Sequence, residues 1–200
     1  LRNRAAGLSA AVECLPGGAN ELLLRMSVTN DGAAATTATL RFPVLRGVRL
    51  GSAASTWYLF GKRGGILNCA NVTLREPLGE RHPLQVDGFF NPKRGLTLAC
   101  LTHDTAAQHH FLNLAKTDAG GEWSPEYVER NLAPGATFTA TESALVAGSG
   151  DWRAIFGAYT NWLKTWFRPV APRKPWFERA FALASGNAHY DMSPDPKVRG

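Results

Sequence analysis

Cysteine is scarce in this chain of 200 residues: Cys14, Cys69 and Cys100 are an odd three, and no two form a CxxC pair. A structural zinc site needs clustered ligands and a disulfide framework needs pairs, so the cysteines define neither. Each lies among apolar neighbours and reads as a buried thiol. Long apolar runs are missing as well; no stretch approaches the ~18 residues of a membrane-spanning helix. Basic clusters are absent. The net charge is +6, yet Arg41, Arg46, Arg49, Lys62, Arg63, Lys93 and Arg94 are dispersed. Nucleic-acid binding, which needs a basic stripe or arm, is not expected. No GxSxG elbow exposes a serine nucleophile. Neither GKRGG (61–65) nor AGSGDW (147–152) has the spacing of a phosphate loop, and nothing in the chain calls for a cofactor.

Helical patterning is also rare. The one long example is 150–169, GDWRAIFGAYTNWLKTWFRP. Trp152, Ile155, Phe156, Tyr159, Trp162, Leu163, Trp166 and Phe167 follow the i, i+3, i+4, i+7 steps of a single helical face. Ser149 or Asp151 caps its start, and Pro169 ends it, with Pro172 and Pro175 behind. So regular a stripe predicts core packing or a seam between domains.

What fills the rest is strand and turn. With 20 Gly and 12 Pro, turns are plentiful. Residues 8–14 and 21–29 flank the turn PGGAN and read as a hairpin. Strand patterns follow at 36–45, 48–50, 56–60, 66–74, 84–90, 96–102, 109–116, 127–131 and 136–146. Pro43 places the first of these at a sheet edge or at its own end. A loop is expected over 76–83 and a Gly-rich loop before Tyr127. About ten strands at 8–12-residue spacing, with no helices between them, predict an antiparallel β-sandwich over residues 1–148. The helix and a Pro-rich linker occupy 149–175. A new segment opens at Trp176.

Candidate chemistry gathers in two places. His103 and Asp104 close the strand GLTLACLTHD, with His109 and His110 just beyond. His–Asp–His at a strand end can hold a metal or a sugar hydroxyl, although a turn with loop histidines is the plainer reading. Trp57, Tyr58, Phe89, Phe90, Trp123 and Tyr127 lie near turns, where flat rings can stack on sugars; core packing is their plainer role. Asp87, before Gly88, either binds a ligand or caps a turn.

The series FPVLRGVRLG, TWYLF with GKRGG, HPLQVDGFF, GLTLACLTHD and GSGDWRAIFGAYTNWLKTWF resembles the N-terminal region of large, poorly characterised bacterial glycoside-hydrolase-like proteins. In that family a β-sandwich is followed by a helix of the GDW…Y..W type and a (β/α)8 barrel, an architecture similar to α-galactosidase- and α-glucosidase-type enzymes. The resemblance implies a supersandwich, galactose-mutarotase-like domain followed by one amphipathic helix. Residues 176–200 would then be the truncated start of a catalytic barrel, with Asp191 and Asp195 near its first strand. It also implies a carbohydrate partner, catalytic carboxylates beyond Gly200, and sugar-bordering roles for Asp87, His103, Asp104 and Trp57. Trp57 stands where a polar or acidic residue is expected ahead of the YLF strand. The chain opens at Leu1 without a leader, so both ends read as cut, and a leader on the parent protein would make it secreted or periplasmic. A free-standing carbohydrate- or protein-binding sandwich is the alternative; a self-contained enzyme has the least support, since no carboxylate pair stands out.

Overall fold

The computed structural model describes residues 1–3, 7–79 and 81–168. The chain divides into Leu1–Trp166 and Phe167–Gly200, and only the first two residues of the second unit are described. The expected linker at 169–175 and barrel segment at 176–200 lie outside the described residues.

The first unit carries fourteen strands and one helix: β1 (Arg2–Asn3), β2 (Leu8–Pro16), β3 (Glu21–Asn30), β4 (Thr36–Arg41), β5 (Leu45–Val48), β6 (Trp57–Phe60), β7 (Ile66–Asn68), β8 (Val72–Pro77), β9 (Val86–Asn91), β10 (Leu96–Thr102), β11 (Phe111–Thr117), β12 (Gly120–Leu132), β13 (Thr137–Thr139), β14 (Ser143–Ser149) and α1 (Trp152–Trp166). All strand pairs are antiparallel. A nine-stranded sheet runs β1-β2-β3-β14-β10-β9-β6-β7, with β13 also on β3. A five-stranded sheet runs β4-β12-β11-β8, with β5 also on β12. Pro43 follows the end of β4, the outer strand of that sheet, as the missing N–H requires.

The two sheets share an apolar interior. Tyr58, Phe60, Phe89 and Cys100 of the large sheet meet Leu112, Leu114 and Trp123 of the small one. Farther along, Met26 and Val28 meet Tyr127 and Leu132. The mainly β, antiparallel architecture predicted from turn spacing is therefore present. The opposite face of the large sheet is covered by α1: Leu59, Val86, Phe90, Ala99, Leu101 and Ala144 pack against Ile155, flanked by Trp152, Phe156, Tyr159 and Trp162. Strand β9 is buried at every position because both of its faces are covered, which erases the alternation of a half-exposed strand.

Gly88 lets the helix approach. A Cβ there would stand 2.6 Å from the Leu98 carbonyl oxygen and 2.8 Å from Ile155 Cδ1. Asp151 caps α1, its Oδ1 accepting the Arg153 N–H at 2.9 Å, as one of the two expected capping residues.

Several sequence expectations change. Of the three thiols expected to be buried only Cys100 is, while Cys14 is exposed and Cys69 half-buried. The strands expected at 36–45 and 48–50 form instead as β4, ending at Arg41, and β5, Leu45–Val48. The 66–74 segment splits into β7 on the large sheet and β8 on the small one, because the Asn68 side chain accepts the N–H groups of Cys69 and Ala70 and turns the chain. The 136–146 segment splits into β13 and β14: Gln108 donates to Thr139 O and accepts from Thr141 N, replacing the ladder there. The glycine-rich loop expected before Tyr127 is instead the first half of β12, which begins at Gly120. Gly121 is needed because the Phe89 ring occupies the space of a Cβ.

Candidate functional site

The four candidate residues are not brought together. Asp87 lies on the inward face of β9 and is fully buried. Its Oδ1 accepts from Gly61 N and from His82 Nε2, each at 2.9 Å, and its Oδ2 accepts from the Trp123 indole N–H at 2.9 Å. Those donors come from the loop after β6, the loop before β9, and β12 of the other sheet. Burial alone lowers the affinity of the His82 imidazole for its proton, but the charge and hydrogen bond of Asp87 outweigh it, and the net shift is upward. The same burial, with the Asp87 charge behind it, pushes the Cys100 thiol well above its ordinary value. Asp87 is thus an interior junction between sheets.

Asp104 is also buried. Its Oδ1 accepts from Ala106 N at 2.9 Å to close a turn, and its main chain makes two bonds of 2.8 Å with the Gln85 amide. Its Oδ2 lies 4.0 Å from His110 Nδ1. Burial pulls His110 below its ordinary pKa, so this imidazole is neutral at pH 7. His110 lies beside Tyr127, whose hydroxyl is pushed up to about 12, chiefly by burial.

His103 and Trp57 reach surface clefts. The His103 ring stacks on Trp162 of α1, with centroids 4.9 Å apart and planes 5° from parallel. Its Nδ1 donates to Glu142 at 3.0 Å, and Arg25 Nε donates to the other carboxylate oxygen at 2.6 Å. Burial would raise the Glu142 carboxyl; the bonds from His103 and Arg25 overcome that and hold it below the usual range. A cleft of about 360 Å³, lined by Glu21, His103, Glu142, Asn161, Trp162 and Thr165 among others, opens here between α1 and the large sheet. His103 Nε2 is enclosed and has no partner among the described residues. The imidazole therefore fixes Glu142 and the helix; it does not present a base to solvent.

Trp57, half-buried on β6, leans on Phe90 at 6.0 Å and lines a cleft of about 450 Å³ with Ser52, Ala54, Ser55, Pro92 and Lys93. One indole face, two hydroxyls and an ammonium can receive a polyhydroxylated ring. Strand register puts Trp57 level with Phe90 and Thr97, while His103 follows Thr102, so the clefts lie roughly 20 Å apart along the strands. The other aromatic candidates, Tyr58, Phe89, Phe90, Trp123 and Tyr127, are core. No group of three or more His, Cys, Asp or Glu side chains suited to a metal occurs among the described residues.

Glu142 and Trp162 are the residues that sequence reasoning missed as a site. His103 meets Glu142 because Thr102 pairs with Ser143 across β10 and β14, a contact between residues 39 positions apart that no local pattern signals.

No protein-family model matches the chain, and no curated protein matches it. Solved structures do. The α-galactosidase from Lactobacillus brevis superposes with a TM-score of 0.57 at 11% identity, over 80% of this chain and 24% of that one. The galactosidase domain of the α-galactosidase–sucrose kinase AgaSK gives 0.54 at 11% identity, over 74% and 23%. The GH36 α-galactosidase AgaA from Geobacillus stearothermophilus gives 0.52 at 11% identity, over 74% and 23%. The chain thus spans about a quarter of the length of these carbohydrate-active enzymes, and what it shares with that quarter is the fold.

Proposed function

We propose that this chain is a non-catalytic, supersandwich-type β module of a carbohydrate-active glycoside hydrolase. It braces a following (β/α)8 barrel through α1 and borders the sugar cleft. The observation that carries this reading is the fold likeness itself: three α-galactosidases match most of this chain with less than a quarter of their own. The module reading also agrees with how the expected site residues are deployed. Asp87 and Asp104 are spent inside the fold, and Trp57 and His103 alone of the four line clefts.

In this reading Trp57 stacks on a sugar ring, and the His103–Glu142–Trp162 contact locks the helix that leads toward the barrel. The test is to express the protein encoded by the whole reading frame and assay it on aryl α-galactosides and α-glucosides. Hydrolysis, with Trp57→Ala raising KM and sparing kcat, supports the reading; a full-length protein inert on a broad glycoside panel overturns it. A free-standing carbohydrate-binding sandwich is the second reading, favoured by one feature: the Trp57 cleft is formed without any second domain. Saturable glycan binding by a protein lacking glycosidase activity would establish it.

A further inference from the structure

The outer face of the five-stranded sheet carries a polar array that none of the preceding roles uses. Across β4, β12, β11 and β8 the register aligns Arg41 with Glu126, Ser124 with Asn113, and Asn113 with Arg75. A solvated sheet face usually bears long, independent side chains. Here each group is tied to the next. Arg41 donates to Ser124 Oγ twice, from Nε at 3.1 Å and from Nη2 at 2.7 Å. Arg75 Nε donates to Glu126 at 2.8 Å, and its guanidinium lies 3.6 Å from the centroid of the Phe111 ring. Asn113 Nδ2 donates to the Ser124 carbonyl and to the Glu126 carboxylate, each at 3.2 Å. Ser124 is almost wholly buried despite belonging to the outer face. Beside the array a cleft of about 360 Å³ opens, within the size range of small-ligand sites, and Arg41, Asn113 and Ser124 line it.

We propose that this face is a binding site for a short neutral saccharide. The internal bonds fix the planar groups and leave valence over: Arg41 and Arg75 retain terminal N–H donors. Asn113 Oδ1 and Glu126 Oε1 accept nothing from the described residues. Fixed donors therefore alternate with fixed acceptors, the pattern that hydroxyl groups satisfy, since each hydroxyl both donates and accepts. Pre-ordering also spares the ligand the entropy of fixing the side chains. An anion fits less well. Burial opposes the Glu126 charge, but the bonds from Arg75 and Asn113 outweigh it and keep the carboxylate ionised, so an anionic ligand meets repulsion between the arginines.

The ligand class comes from the chemistry of the face, and the face is separate from both clefts described above. The test is an amide chemical-shift titration of the 200-residue chain with melibiose and with maltose, with galacturonate and inorganic phosphate as anionic controls. Saturable shifts confined to residues 41–45, 73–75, 111–115 and 122–126 for at least one neutral sugar are expected. Asn113→Ala and Glu126→Gln should each weaken that sugar by about tenfold. No saturable shift with either neutral sugar overturns the site, and so does an equal response to galacturonate. Shifts confined to the surroundings of Trp57 or His103 also overturn it, while leaving the hydrolase-module reading intact. The wild-type shift map decides the matter even if a variant fails to fold.

Discussion

Asp87 concentrates more consequence than any other residue. A carboxylate out of water must be compensated, and this one is compensated by three donors from three segments. Truncating it strands the His82 proton, the Trp123 indole N–H and the Gly61 N–H together. Asp87→Ala is expected to cost about 3–5 kcal/mol, read from urea unfolding midpoints. The pH dependence follows from the shifts. His82 is raised in the folded state, so its contribution is complete below its unfolded value of about 6.5 and fades as pH rises through the folded one. His110 is lowered, so its contribution is present above about 6.5 and fades as pH falls through its folded value. Stability should therefore decline on both sides of neutrality. Asp87→Asn should flatten the alkaline side and spare the acid side, which a series of denaturation curves across pH will show.

At the level of elements, most of the fold was legible in the sequence because turn chemistry is local. The PGGAN hairpin, the strand pair around NPKRG and the helix with its Asp151 cap all formed where composition put them. Two of the failures share a cause: where tertiary contacts replace local bonds, as at Gln108 and Phe89, composition misleads, whereas the break at Asn68 is a local turn. Gly120 and Gly121 look like a loop but sit in β12, because Phe89 claims the space a side chain would need. The candidate site was less legible still. Asp87 and Asp104 were visible as polar residues in apolar company, but whether such a residue faces a ligand or an interior partner is decided by segments far away in the chain. Gly88 offers a test at this scale. Gly88→Ala should destabilise by about 1–3 kcal/mol through overpacking. Adding Ile155→Val should recover only part of that loss, because the Leu98 carbonyl is backbone and cannot be trimmed. Calorimetry of the single and double variants measures both.

For the whole molecule, the helix counts as part of the sandwich. Five of its stripe residues, Trp152, Ile155, Phe156, Tyr159 and Trp162, cover the large sheet, and the unit defined by the chain's own packing ends at Trp166. A chain of residues 1–166 is expected to unfold in a single transition. A chain stopped at Ser149 is expected to lose cooperativity, since Leu59, Val86, Phe90 and Leu101 would face water. Thermal scans of the two truncations test this directly.

The bond from Trp123 to Asp87 has one more consequence. The hydrophobic effect is non-directional, so by itself it is indifferent to which of several close-packed arrangements joins two apolar layers. A hydrogen bond of 2.9 Å from one layer to the other is not indifferent. It works as a dowel: it sets where one sheet sits over the other while the surrounding side chains are free to vary in shape. Sequence drift in the interior of such a domain can then proceed without changing how the clefts at its rim are aligned.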